Sequence, residues 1–153
     1  MLARDIMTAP VLTAHLSTPL PEVARLMREH DIGCLPVVDE SGVLIGLITE
    51  SDFTGIRQAI PFSLALAPVI YGSRPPTDAE LKQMLSAAGK LLARDIMTSD
   101  RLHTVAEDTP VGVLVHDMLA KKRKHFPVIR DGKIVGMVAR HDLLKLIDRG
   151  IGG

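Results

Sequence analysis

A chain of 153 residues with 46% hydrophobic side chains carries ample apolar material for a folded core, which excludes a wholly disordered protein. Its 18 basic and 18 acidic side chains cancel, unlike the one-signed excess of a nucleic-acid-binding protein. The single cysteine, Cys34, excludes an internal disulfide and fits a reducing compartment.

Arg4 and Asp5 interrupt the opening apolar residues, so no signal peptide is expected. The longest weakly charged stretch, 58–73, contains Pro61, Pro68 and Gly72, which break a spanning helix. The expectation is a cytoplasmic protein with neither a membrane nor a nucleic-acid partner.

Leu2 to Thr8 (LARDIMT) opens the chain, and Val11 to Thr13 follows as a short extended piece. Ser17, Thr18 and Pro19 predict a helix start, with a hydroxyl cap and proline in the first turn. Val23, Leu26, Met27 and His30 share one face of that helix, and Gly33 is expected to end it. Leu35 to Val38 and Val43 to Ile48 read as strands of a hairpin around Asp39 to Gly42.

Gly46 to Asp52 then carries an apolar strand straight into a predicted helix, which opens at Thr49 and fades before Pro61. Thr49 and Asp52 fall in its first turn, beside backbone N–H groups without intrahelical partners, a place that favours anions.

From Ala59 to Lys90 an insert intervenes, irregular through Pro61, Pro68, Pro75 and Pro76. The apolar run Ile60 to Tyr71 is expected to pack over its own module or a dimer partner. Thr77, Asp78 and Glu80 then start a helix with Leu81, Met84, Leu85 and Ala88 on one side.

The rest of the chain repeats the first part. Leu92 to Thr98 repeats Leu2 to Thr8 unchanged, an offset of 92 − 2 = 90. Thr109 and Pro110 answer Thr18 and Pro19, and Pro127 and Val128 answer Pro36 and Val37, both at 91. A helix from about Thr109, strands Phe126 to Arg130 and Lys133 to Val138, and a tight turn at Asp131 and Gly132 follow. Gly136 to Asp142 restores the offset of 90, and the last helix carries Leu143, Leu144 and Ile147. Indels confined to turns mark an internal repeat. The expected fold is α/β (α+β), two β-α-β-β-α repeats packed sheet on sheet about a pseudo-twofold axis. The expected divisions are 1–58, the insert 59–90 with one helix, and 91–153.

Asp5 to Thr8 and Asp95 to Thr98, Leu35 to Asp39 (LPVVD), Phe126 to Ile129 (FPVI), and the endings Gly46 to Asp52 and Gly136 to Asp142 recur in order and in duplicate. In these motifs the sequence resembles a tandem pair of cystathionine-β-synthase (CBS) domains, a Bateman module; only the insert lies outside the pattern. The resemblance implies a stand-alone regulatory module that binds AMP, ADP, ATP or a related adenosyl compound in a cleft between the repeats. It implies action on a partner in trans, and pairing into a homodimer through the closing helices. No cofactor is required, although Mg²⁺ is compatible with a nucleotide.

By the same resemblance Asp52 accepts hydrogen bonds from the ribose hydroxyls, and Thr49 meets a ribose or phosphate oxygen. A carboxylate suits a vicinal diol because it accepts two charge-assisted hydrogen bonds. The plain alternative is a capping box, Thr-x-x-Asp, that stabilises the helix without ligand. In the second copy Ala139 removes the hydroxyl but Asp142 remains, either as a ribose contact or only as a complement to the helix dipole. Backbone groups near Thr13, Ala14, Gly33, Cys34 and Leu35 would line the adenine pocket, and Pro36 is a further ligand-binding candidate.

Lys124 and His125, at the end of the basic run Lys121 to His125, are the phosphate candidates, followed by Arg140 and His141. Lys121 and Lys122 are assigned to solvent. Cys34 reads as a structural thiol. His103, His116, His125 and His141 match no metal spacing, and no nucleophile constellation or phosphate loop is present, so neither a metal site nor catalysis is expected. The competing function is a constitutive scaffold with a degenerate nucleotide cleft.

Overall fold

The computed structural model describes residues 1–55, 72–148 and Gly150. The apolar run Ile60 to Tyr71 and the continuation of the first closing helix beyond Gly55 lie outside the described residues.

Each LARDIMT segment forms a single helical turn, α1 (Ala3–Ile6) and α4 (Ala93–Ile96). Both turns are held at the start by an aspartate reaching back: Leu2 N–H donates to Asp5 Oδ2 at 2.7 Å, and Leu92 N–H to Asp95 Oδ2 at 2.8 Å. This satisfies one of the orphan donors of a helix start.

Helix α2 (Leu20–Glu29) begins one residue after the expected proline, with Pro19 as its cap residue. The Thr18 hydroxyl accepts instead from His15 N–H at 2.9 Å. Gly33 does not end this helix. Asp31 does, with φ 49°, while Ile32 N–H donates to Met27 O at 3.0 Å and Asp31 N–H to Arg28 O at 3.4 Å. Those two bonds form a Schellman closure, and an aspartate tolerates the left-handed conformation it needs.

Strands β1 (Cys34–Val38) and β2 (Leu44–Thr49) form the expected hairpin. Asp39 Oδ1 ties its turn by accepting from Ser41 and Val43 N–H at 2.8 and 3.0 Å. The closing segment is a 3₁₀ turn, Glu50–Gly55, rather than a regular α-helix over the described residues.

Helix α3 (Asp78–Ala88) starts where expected and is closed by a capping box: Glu80 N–H donates to Thr77 Oγ1, and Thr77 N–H to Glu80 Oε2. Arg74 forks onto the Glu80 carboxylate at 2.8 and 2.6 Å. The apolar side of α3 is not covered by the described residues, since Leu81 and Leu85 are exposed.

In the second repeat β3 (Val105–Ala106) runs parallel to β4 (His125–Arg130), which pairs antiparallel with β5 (Lys133–Ala139). The bridge Ala14–Val37 is the counterpart of β3 in the first repeat, where no strand forms over Val11 to Thr13. Helix α5 (Val111–Ala120) precedes β4. The 3₁₀ turn Arg140–Leu143 and α6 (Leu144–Asp148) close the copy. In α6 it is Leu146 that is buried; Leu144 and Ile147, three residues apart on the neighbouring face, stand in solvent.

The chain divides into two compact units that do not follow sequence order. Unit 1 gathers Met1–Thr13, Val38–Ile45 and Asp100–Gly153; unit 2 gathers Ala14–Val37 and Gly46–Ser99. Each unit thus takes the opening segment of the opposite copy. In unit 1, Ala3 N–H donates to Thr109 O at 2.8 Å, and Thr8 exchanges two backbone bonds with Met137. In unit 2, Ala93 N–H donates to Thr18 O at 2.8 Å, and Thr98 exchanges two with Leu47. Ala3, Ile6, Leu114, Met118, Phe126, Val128, Val138 and Leu146 belong to one buried cluster in unit 1. In unit 2, Leu20, Val23, Met27, Leu35, Val37, Ile48 and Ala93 are buried.

Candidate functional site

The site in unit 2 is assembled where β2 ends. Glu50 N–H donates to Gly33 O at 3.3 Å, which brings the 3₁₀ turn against the start of β1. Asp52 reaches back to that junction, its Oδ2 accepting Thr49 N–H at 2.7 Å and Thr49 Oγ1–H at 3.1 Å. Among the described residues no hydrogen bond of Asp52 falls on Oδ1. The Thr49 hydroxyl also lies 2.8 Å from Ser51 Oγ.

Cys34 is buried beside this carboxylate. Its thiol is pushed up to about 12, mainly by burial and further by the negative charge of Asp52. It is therefore a protonated, inert group at neutral pH. Leu35 and Pro36 are buried with it. Ala14 N–H donates to Pro36 O at 2.8 Å, so Ala14, Cys34, Leu35, Pro36, Thr49 and Asp52 all fall in unit 2.

Unit 1 repeats the backbone geometry with different side chains. Arg140 N–H donates to Lys124 O at 3.3 Å, and His125 pairs with Ala139 across β4 and β5. Asp142 Oδ2 accepts Ala139 N–H at 2.7 Å, as Asp52 does from Thr49. Here, however, the carboxylate is buried and its other oxygen is engaged. Oδ1 accepts the Thr8 hydroxyl at 3.1 Å and meets Lys145 Nζ at 2.6 Å. The same ammonium donates to Ile6 O at 2.9 Å.

Thr13, Lys124, His125, Arg140, His141 and Asp142 belong to unit 1. The side chains of Lys124, Arg140 and His141 are exposed, and His125 is half-buried.

Two features of unit 1 were not anticipated. Lys145 is one; its visible signal was Asp142-x-x-Lys145, where the first copy has Asp52-x-x-Gly55. The other is Asp117, which gathers Lys121 Nζ at 3.0 Å, His103 Nε2 at 3.2 Å and His116 Nδ1 at 3.4 Å. The hydrogen bond from Lys121 foremost holds the Asp117 carboxyl below its usual range. The His103 ring also meets Phe126 edge-on, 5.8 Å between centroids. Among the described residues no group of three or more histidine, cysteine or acidic side chains is arranged to hold a metal. No helix among them is long and apolar enough to cross a membrane.

Two copies of a helix–hairpin–turn unit, each presenting an aspartate three residues beyond the strand end, define a duplicated mixed α+β protein. The CBS domain family matches the chain over residues 3–58 and 93–149, and the chain belongs to that family. Among solved structures it is similar to the CBS domain of a CBS-domain-containing membrane protein from Sphaerobacter thermophilus: TM-score 0.70 and 39% identity, over 95% of this chain and 87% of that one. It is also similar to the CBS domain pair of protein MJ0100, solved with 5′-methylthioadenosine and S-adenosyl-L-methionine: TM-score 0.67 and 29% identity, covering 97% of both chains. Among curated proteins, L-aspartate semialdehyde sulfurtransferase of Methanocaldococcus jannaschii is 30% identical over 95% of this chain. The chain spans only 23% of that enzyme, and 60% of a Methanopyrus kandleri protein 31% identical over 93% of this chain.

Proposed function

We propose that this chain is a regulatory ligand-sensing module that binds an adenosine-containing compound at Asp52 in unit 2. The observation that carries the reading is the half-used carboxylate: Oδ2 is committed to Thr49, while Oδ1 has no hydrogen bond among the described residues. A carboxylate fixed by its own backbone bond is preorganised, so a vicinal diol meets it with little ordering cost. The solved MJ0100 pair, with its two adenosyl ligands, supports this class of ligand. In this reading Asp52 takes the ribose hydroxyls, and backbone groups around Ala14, Cys34, Leu35 and Pro36 take the base. Lys124, His125, Arg140 and His141, the phosphate candidates of the sequence, all fall in unit 1 and are not assigned to the ligand at Asp52; Mg²⁺ is optional.

The module binds and does no chemistry of its own; its output is a change in a partner protein, exerted in trans from a cytoplasmic homodimer. The exposed Leu144 and Ile147 of α6 are the proposed dimer contacts. A constitutive scaffold is the second reading, favoured by the Asp52–Thr49 bond, which caps the turn without any ligand.

Thermal unfolding with AMP, ADP, ATP, NAD, 5′-methylthioadenosine and S-adenosylmethionine separates the two. A ligand selective for the folded chain stabilises it by about 2.7 kcal/mol at a hundredfold excess over Kd. A midpoint unmoved by every one of these at millimolar concentration would leave the scaffold.

A further inference from the structure

The two aspartates differ at the oxygen that the strand-end N–H leaves over. Asp52 and Asp142 occupy equivalent positions, 142 − 52 = 90, and each accepts the strand-end N–H on Oδ2 at 2.7 Å. In unit 1, Lys145 then sets its ammonium 2.6 Å from Asp142 Oδ1 and anchors it on Ile6 O at 2.9 Å. The Thr8 hydroxyl takes the same oxygen. In unit 2 the position equivalent to Lys145 is Gly55, which has no side chain to reach Asp52.

We infer that Lys145 is an internal lock: its ammonium fills the oxygen that a ribose diol would need, so unit 1 is closed to ligand and the chain binds one adenosyl compound rather than two. The inference rests on the reading of Asp52 as a ribose acceptor. The physical reason is competition for a single oxygen. Asp142 is 4% exposed, and a buried carboxylate paired at short range with a cation is held more strongly than one that faces water. A neutral diol offers two hydrogen bonds but would displace a positive charge, leaving that ammonium without its counter-ion. The Ile6 carbonyl strengthens the lock, because it fixes the lysine from the opening segment at the far end of the chain. Ala139 weakens the unit 1 site further by removing the hydroxyl that Thr49 supplies in unit 2.

The test is binding stoichiometry, read by equilibrium dialysis of the full chain with S-adenosylmethionine, 5′-methylthioadenosine and AMP. The unaltered chain should bind one equivalent and Asp52→Ala none. Lys145→Ala should bind two, and Asp52→Ala with Lys145→Ala should regain one. Adding Ala139→Thr to Lys145→Ala should tighten the second equivalent severalfold. Lys145→Met keeps the apolar stem and serves if the alanine variant fails to fold; Lys145→Arg keeps the cation and should stay at one.

Two equivalents on the unaltered chain overturn the lock. So does one equivalent on both Lys145→Ala and Lys145→Met, in which case the Asp52 reading survives. An unaltered chain that binds nothing, with Lys145→Ala binding one, keeps the lock and sinks the Asp52 site. No binding by any variant sinks both.

Discussion

Met7 lies against the face of Gly136 where a side chain would begin; a Cβ built there overlaps the Met7 sulfur. Met97 lies against Gly46 in the same way. Each methionine comes from a LARDIMT segment and each glycine from the hairpin that receives it. The glycines are therefore required for close approach rather than for an unusual φ.

Gly136→Ala should lower stability by about 1–3 kcal/mol, the usual cost of overpacking a filled core. Differential scanning calorimetry reads it as a lower midpoint. Removing the Met7 side chain in the same background, by Met7→Ala, should recover part of the loss. An unchanged midpoint in Gly136→Ala would mean that the segment docks some other way.

Asp52 carries two roles that two substitutions pull apart. Asp52→Asn keeps an oxygen for the Thr49 N–H but drops the charge, and should weaken adenosyl binding by about 1.5–3 kcal/mol. Its stability should stay close to that of the unaltered chain. Asp52→Ala should add a loss of about 0.5–2 kcal/mol of stability, typical of a removed cap. Isothermal titration and thermal melts on the same samples give both numbers. Full affinity in the asparagine variant would leave Asp52 with capping alone.

How much of this was legible in the residues differs by level. The hairpins at Asp39 and Gly132, the helix at Thr77 and the two aspartate-bearing strand ends follow from local turn and cap chemistry, which is written within a few residues. The exchange of opening segments was not legible, because Leu2 to Thr8 and Leu92 to Thr98 are identical. Either could dock on either hairpin, and local pattern does not choose between them. Lys145 was missed for the same reason. Its bond to Ile6 spans 139 positions and exists only once the segments have exchanged. Asp117 follows Leu114 by three residues on the buried face of α5, and a charged side chain there gives no apolar signal.

Asp117 predicts an acid sensitivity. Its carboxyl titrates below the ordinary value in the folded chain, first because Lys121 donates to it. A lowered folded pKa gives stability that is complete above the unfolded pKa and is lost as pH falls through the folded one, here below roughly pH 4. Asp117→Asn should therefore lower the midpoint at neutral pH and flatten its decline into acid. Melts from pH 7 down to pH 2 check this; a decline as steep as that of the unaltered chain would assign the acid limb to other carboxylates.

Cys34 predicts a chemical silence. With its thiol pushed up to about 12, the folded chain presents almost no thiolate at pH 8. Alkylation by iodoacetamide should run about a thousandfold slower than for a free thiol, and reach the ordinary rate only in denaturant. Mass spectrometry of timed samples follows it. Rapid labelling of the folded chain would place Cys34 at the surface.

The crossed loyalty of the two LARDIMT segments bears on ancestry as well as on stability. A half-length polypeptide encoding a single copy would have a hairpin glycine awaiting a methionine that its own leading residues, in the present arrangement, deliver elsewhere. To keep the present arrangement, such a half would have to trade arms with a twin molecule. Carried on one polypeptide, donor and recipient complete each other without a second molecule, and each half is finished by residues about ninety positions away.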